Sequence, residues 1–423
     1  MTDVITQAPT VPTTEAAPAA PPALRHDAIN GLVLGDGTPR TAPATWARRL
    51  RPLAKPAGFY LLSRIGVYFA ALAVKWMYPK MHVLTTMGSI WDGRWYLLIA
   101  QHGYPARLFN EGDGSRWAFF PAWPALIRGA SAVTGLNLAD SALALSFVFG
   151  LTAVLAVWLA VRQIFGSTIA DRTALLFAFF PTAYVLSMGY TEGLFITVAA
   201  GCLYCIGRRM WISAALFAVA AGLTRNLGAI VILCLVVAAL PAIRRQRSLR
   251  PLVACAIAPL GLLAFMVYGW LRVGTPLAFL SAQKFWDGAH FISFTAPLYS
   301  LKYLLTSGHG LTNAASVTAV AALLIAYFGL ALLIRMGKTT VNIPAYWWVF
   351  TIGAVLTAFS PFYPNSILRY TMAAFPLLIG YAWKIRPTWE GAIIATMAMS
   401  EAAMMMVTLV GLVHAGHMLP FFP

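Results

Sequence analysis

At 423 residues, with 60% hydrophobic and only 10% charged residues, the chain is far from the roughly 25% charged composition of soluble globular domains, and that class is excluded. A net charge of +17 invites a nucleic-acid reading, but the Lys and Arg residues lie in short clusters between apolar runs. Without a continuous basic stripe, no nucleic-acid partner is expected, and the partner that composition demands is a lipid bilayer.

Residues 1–45 are rich in Ala, Pro and Thr and lack apolar periodicity, the composition of a disordered tail. The first apolar run begins near residue 57 and is too long for a signal-peptide core, so no cleaved leader is expected. Residues 46–423 read as one membrane domain. Spans are predicted at about 57–76, 141–161, 173–189, 190–206, 211–225, 227–242, 252–271, 313–334, 344–360, 370–385 and 390–413. Each is about long enough for a hydrocarbon core of ~30 Å, giving an all-α, polytopic membrane helical bundle of about eleven crossings. Cys202, Cys205, Cys234 and Cys255 all fall inside apolar runs without a second pair at zinc-site spacing, and read as small core residues.

Basic residues set the expected orientation, because short cytoplasmic loops carry the Lys and Arg excess. Arg48, Arg49, Arg51 and Lys55 precede the first span, which puts the N-terminus in the cytoplasm. If 119–134 lies along the outer face, then Arg162 and Arg172, Arg208 and Arg209, Arg244 to Arg250, Arg335 and Lys338, and Lys384 and Arg386 all fall on that same side. The opposite side of the plasma membrane then receives long loops at about 77–140 and 272–312. Both are too aromatic for disorder, and long loops of this kind carry function.

The first loop contains Trp91-Asp92-Gly93-Arg94-Trp95-Tyr96 and continues to His102-Gly103-Tyr104. Trp91, Trp95, Leu98 and His102 fall near one helical face, predicting a short interfacial helix with Asp92 in its first turn. Asp92 then has two readings, a helix cap or a general base. The second is sharpened by scarcity: of 13 acidic residues, few remain near the outer face, Asp92, Glu111, Asp113, Glu192 and Asp287 among them. Glu111 and Asp113 sit among Gly and Ser and read as a solvated turn.

Glu192 follows Tyr190-Thr191 where one span ends and the next begins, so it is either a partner of the helix N-terminus or a functional group at membrane depth. Arg225 lies between two short spans, at Gly222-Leu223-Thr224-Arg225-Asn226-Leu227-Gly228. Such breaks are tolerated beside a polar cavity, where a guanidinium suits a phosphate; the alternative is an arginine snorkelling to the interface. Arg369, after Pro361-Phe362-Tyr363-Pro364, earns the same pair of readings. Arg64, inside the first span, should face the protein interior. The second loop holds Gln283-Lys284-Phe285-Trp286-Asp287-Gly288.

In order along the chain, Trp91-Asp92-Gly93-Arg94-Trp95-Tyr96, Phe119-Phe120-Pro121-Ala122-Trp123-Pro124, Tyr190-Thr191-Glu192-Gly193, Leu223-Thr224-Arg225-Asn226, Gln283 with Trp286, and Arg369-Tyr370 resemble the PIG-V type of GPI mannosyltransferase II and its bacterial relatives. Those are membrane glycosyltransferases of the GT-C class. The family's usual serine or proline after the arginine is Asn226 here.

The resemblance implies inverting transfer of mannose from a polyprenyl-monophosphate donor to a lipid or glycan acceptor at the external face, with Asp92 as the catalytic base. Arg225 and Arg369 are the expected phosphate partners, with Gln283 and Lys284 helping. Tyr190, Glu192, Arg94, Trp95, His102 and Trp286 complete the expected substrate-binding set, although tryptophans here equally suit an interfacial belt. No metal or other cofactor is expected. Two other readings keep the same spans: transfer of another lipid-linked sugar such as a pentose, and transport of a lipid-linked sugar.

Overall fold

The computed structural model describes residues 51–109, 115–246, 248–287, 294–306, 314–361 and 366–415. The tail expected over 1–45 lies outside them. Among the described residues every regular element is a helix, the form in which an apolar segment satisfies its own backbone in hydrocarbon.

In chain order the α-helices are α1 (Ala54–Met77), α2 (Val83–Ser89), α3 (Asp92–His102), α4 (Ala122–Thr134), α5 (Leu138–Phe165), α6 (Ser167–Ala178), α7 (Glu192–Gly207), α8 (Trp211–Gly222) and α9 (Gly228–Gln246). They continue with α10 (Leu249–Ile257), α11 (Leu260–Val273), α12 (Ala278–Asp287), α13 (Ala296–Thr306), α14 (Ala314–Thr339), α15 (Ala345–Phe359), α16 (Ile367–Ala373), α17 (Pro376–Lys384) and α18 (Pro387–Ala415). By length and composition, five described stretches suffice to cross a bilayer: Arg51–Met77, Leu138–Phe165, Leu249–Val273, Ala315–Thr339 and Pro387–Gly411. Glu192–Gly207, Trp211–Gly222, Gly228–Arg244 and Ala345–Phe359 are shorter apolar helices.

The helix α1 shows which solvent this surface is built for. It buries Ser63 and Arg64 while turning Leu62, Ile65, Phe69, Leu72 and Trp76 outward. Such a face would be an aggregation liability in water but matches lipid tails. At 24 residues and ~1.5 Å per residue, α1 reaches about 36 Å, enough for the hydrocarbon core.

Three expected spans are not single helices. The run 252–271 divides into α10 and α11 around Pro259. The run 173–189 breaks after Ala178, and a 3-10 turn over Ala183–Ser187 follows. Pro181 sits in the break, where it lacks an N–H and disfavours the helical conformation of the residue before it. The run 370–385 divides into α16 and α17, and Pro376 opens the second as its first residue. In each case apolarity conceals the break, because hydropathy counts side chains and not backbone donors.

The segment expected to lie along one face contains α4, which packs against α3 and α5. In α3 the buried residues are Gly93, Trp95, Tyr96, Ile99 and Ala100, whereas His102 is exposed and Trp91 and Leu98 are half-buried. The expected face of Trp91, Trp95, Leu98 and His102 is therefore corrected. Contacts with α2 on one side and α4 on the other bury more of α3 than a single apolar stripe implies.

Candidate active site

The site is assembled where chain breaks meet. Ile90 and Gly93 close a tight turn, with the Gly93 N–H donating to the Ile90 carbonyl over 2.9 Å. Trp91 occupies the turn with φ 47° and ψ −115°, a conformation that glycine usually supplies. It launches α3 with Asp92 as the first residue. The Asp92 carboxylate is not a cap: the N-cap is Trp91, which makes no side-chain cap hydrogen bond.

Close backbone packing brings the start of α3 to the start of α7. A Cβ on Gly93 would lie 2.9 Å from the Gly88 carbonyl oxygen, one on Gly88 would lie 2.5 Å from the Ala139 carbonyl oxygen, and one on Gly189 would press into Gly88 itself. The Gly189 N–H donates to Met87 over 2.9 Å, and the buried Trp123 indole donates to the Gly189 carbonyl over 3.1 Å. Ser146 donates to the Met188 carbonyl beside it. These contacts hold Tyr190, Thr191 and Glu192 at the edge of α7.

Four charged groups then form a chain. Arg369 Nη1 lies 2.7 Å from Asp92 Oδ2, and Arg369 Nε lies 3.5 Å from Glu192 Oε1. That same Glu192 oxygen accepts from Arg225 Nη1 over 2.6 Å. Two aromatic rings flank Arg369: its guanidinium stands 5.0 Å from the Tyr190 ring and 4.9 Å from the Tyr370 ring, and Nη2 donates to the Tyr370 hydroxyl over 3.1 Å. The Arg225 guanidinium also stands over the Tyr370 ring, 5.3 Å from its centroid.

Burial differs along the chain of charges. The side chains of Arg369 and Glu192 are each 3% exposed and Arg225 is 17% exposed, whereas Asp92 is 32% exposed. Asp92 is thus the member most open to an incoming molecule. The second Glu192 oxygen, Oε2, and the hydroxyls of Tyr190 and Thr191 are buried without hydrogen-bond partners. Such groups are costly unless something supplies a donor or acceptor.

The other expected site residues are not in this cluster. Trp95 stacks on Phe119 with ring centroids 5.9 Å apart. Arg94 and His102 are exposed on α3. Gln283 on α12 donates to the Ala118 carbonyl over 3.4 Å, in a second aromatic cluster built on Trp117, Phe120, Phe265 and Phe279. Lys284 and Trp286 lie on α12, with side chains outside the described residues; Glu111 and Asp113 lie outside them altogether.

Two tyrosines belong to the site although the charge-based reading passed over them. The Tyr370 ring is close to both arginines. Tyr96 is one helical turn beyond Asp92, and burial pushes its phenol well above the ordinary tyrosine range, with the Asp92 charge adding to the effect and Arg225 opposing it. It stays a neutral hydroxyl. The usable signal was its spacing, since residues i and i+4 share a helix face.

Residues 80–278 match the family model described as mannosyltransferase (PIG-V), so the resemblance read from the motifs is borne out. Asp92, Glu192 and Arg225 fall within the matched residues and Arg369 outside them. Human GPI alpha-1,6-mannosyltransferase 2 is 32% identical over 149 residues, covering 33% of this chain and 29% of that protein. The mouse protein is 33% identical over 149 residues, with the same coverage. The match therefore spans less than a third of the length of these relatives.

Among solved structures, ArnT from Cupriavidus metallidurans bound to undecaprenyl phosphate is 14% identical, with a TM-score of 0.47 over 77% of this chain and 61% of that one. Archaeal oligosaccharyltransferase AglB from Archaeoglobus fulgidus, in complex with an inhibitory peptide and a dolichol-phosphate, is 13% identical, with a TM-score of 0.44 over 87% and 56%.

Proposed function

With residues 80–278 matching the PIG-V mannosyltransferase family, we propose that this chain is an inverting membrane mannosyltransferase that uses a polyprenyl-monophosphate mannose donor. The observation that carries the reading is the partly exposed Asp92 carboxylate paired with the Arg369 guanidinium, with Arg225 joined to Arg369 through Glu192.

In this reading an acceptor hydroxyl gives its proton to Asp92 as its oxygen attacks the anomeric carbon. The bond from that carbon to the lipid phosphate oxygen breaks, its electron pair leaves with the phosphate, and configuration inverts. Charge that develops on the departing phosphate is met by Arg369 and Arg225, without a divalent ion. Tyr96 supplies a neutral hydroxyl near the reacting atoms. In the same reading Gln283 and Lys284 on α12 assist the arginines, and Tyr190, Glu192, Trp286, Trp95, Arg94 and His102 complete the substrate-binding set.

Residues 46–423 act as one membrane domain crossing about eleven times, with a cytoplasmic N-terminus and the site on the external face. The basic residues support this orientation: α7 begins at Glu192 and is followed at its other end by Arg208 and Arg209, the cytoplasmic signature of short loops.

The test is sugar transfer in liposomes holding purified protein, polyprenyl-phosphate [14C]mannose and a membrane lipid extract. Transfer by the wild type and its loss in a folded Asp92→Asn variant is the expected result. Equal transfer by both would remove Asp92 from the chemistry, and no transfer by the wild type would overturn the donor.

A further inference from the structure

The pairing of Asp92 with Arg369 poses a difficulty for the proposed chemistry. The base and the cation meant for the donor's phosphate occupy each other in the resting site, with Asp92 Oδ2 2.7 Å from Arg369 Nη1. We propose that the donor's phosphate and the Asp92 carboxylate compete for Arg369, so that donor binding is what releases Asp92 to act as the base. This inference rests on the donor reading above and adds an order of events to it.

The geometry says which of the four charges gives way. Arg369 is held in place: its side chain is 3% exposed, its guanidinium stands 5.0 Å from the Tyr190 ring and 4.9 Å from the Tyr370 ring, and Nη2 bonds to the Tyr370 hydroxyl. Glu192 is 3% exposed and holds both arginines. The mobile partner is Asp92, 32% exposed and bound to Arg369 through one oxygen at 2.7 Å.

The resting site holds two cations and two anions. A phosphodiester donor brings a third anion, and displacing the partly exposed Asp92 carboxylate opens Arg369 to it beside Arg225. Asp92 is then an anion without a cation, the state in which it takes the acceptor's proton. Once the C–O bond to phosphate has broken, Asp92 carries that proton and the phosphate carries the extra negative charge. When Asp92 loses the proton to solvent it again seeks Arg369, and the same exchange run backwards expels the polyprenyl phosphate.

A counter-intuitive result follows. Asp92→Asn abolishes transfer yet binds the product lipid more tightly, because the competitor has lost its charge. Binding of undecaprenyl phosphate is measured on full-length protein in nanodiscs of neutral phospholipid, with undecaprenol as the control for the prenyl chain. Asp92→Asn is expected to bind undecaprenyl phosphate about tenfold more tightly than wild type, within the usual range of coupling between sites, and undecaprenol equally.

Asp92→Ser gives a second neutral replacement and should behave alike. In an Arg369→Gln background the gain should vanish, because the two residues act through one contact. Equal or weaker binding by Asp92→Asn overturns the exchange, as does a gain that survives Arg369→Gln, since Asp92 would then repel phosphate without holding Arg369. Absence of undecaprenyl phosphate binding by the wild type would instead sink the donor reading itself.

Discussion

Tyr370 keeps two positive charges close together without neutralising either. Its ring lies 4.9 Å from Arg369 and 5.3 Å from Arg225, so both cations gain an attraction to the same ring. Its hydroxyl accepts from Arg369 as well. Tyr370→Phe keeps the ring and loses one charge-assisted hydrogen bond, so transfer should fall by roughly fivefold, or about 1 kcal/mol. Tyr370→Leu removes the ring too, and a further loss of about tenfold is expected from cation–π contacts of roughly 1–2 kcal/mol. Liposome transfer rates for the two variants check this, and equal rates would show that the ring does nothing beyond the hydroxyl.

The four charges were legible in the sequence for a physical reason. In a chain with 10% charged residues, an ionisable group near an apolar run is too expensive to be incidental. Tyrosine carries no such cost and is common at membrane interfaces, which is why Tyr370 and Tyr96 did not stand out. Arg94 and His102 show the opposite failure. Both belong to a contiguous motif, but successive helical positions point about 100° apart, so neighbours in sequence are not neighbours in the site.

At the scale of elements, the site depends on three backbones packed without side chains between them. Gly88, Gly93 and Gly189 let α2, α3 and the start of α7 approach closely. Gly189→Ala must push the Gly88 carbonyl away, and the displacement passes to Asp92 through α3. A shift of about 1 Å in a reacting group can cost ~100-fold in rate, so Gly189→Ala should lose about that much transfer while the thermal midpoint drops by only a few degrees. Gly58→Ala, where the new Cβ meets nothing within 4 Å, is the matched control and should leave both unchanged. Rate loss without such a midpoint shift separates misplacement from unfolding. None of this packing was readable from hydropathy, because a glycine in an apolar segment gives no sign of which backbone it faces.

At the scale of the whole molecule, the first and last α-helices among the described residues are joined by a buried ion pair. Arg64 on α1 pairs with Glu401 on α18, each about 2% exposed. Ser63 donates to the same carboxylate over 2.7 Å. Arg64 also donates to the Ala183 carbonyl and the Ser187 hydroxyl, both at 2.9 Å. It thereby braces the 3-10 turn that leads to Tyr190 and Glu192. The sequence indicated that Arg64 faces inward, but its partner was not legible, since no periodicity links positions 337 residues apart.

Removing one member of a buried pair strands the other, typically at about 3–5 kcal/mol. Glu401→Leu and Arg64→Leu should therefore each lower the thermal midpoint in detergent by several degrees. The double variant should be more stable than Arg64→Leu or Glu401→Leu alone, and additive losses would show that the two residues do not act as a pair.

The same pair has a consequence for biogenesis. Arg64 is made early and Glu401 follows 337 residues later. At about 5–20 residues per second this leaves an uncompensated cation in the first inserted helix for roughly half a minute. Until the last helix arrives, the nascent chain carries a membrane-buried charge that chaperones or proteases can read as unfinished. A ribosome that stalls before position 401 therefore leaves Arg64 without its partner carboxylate.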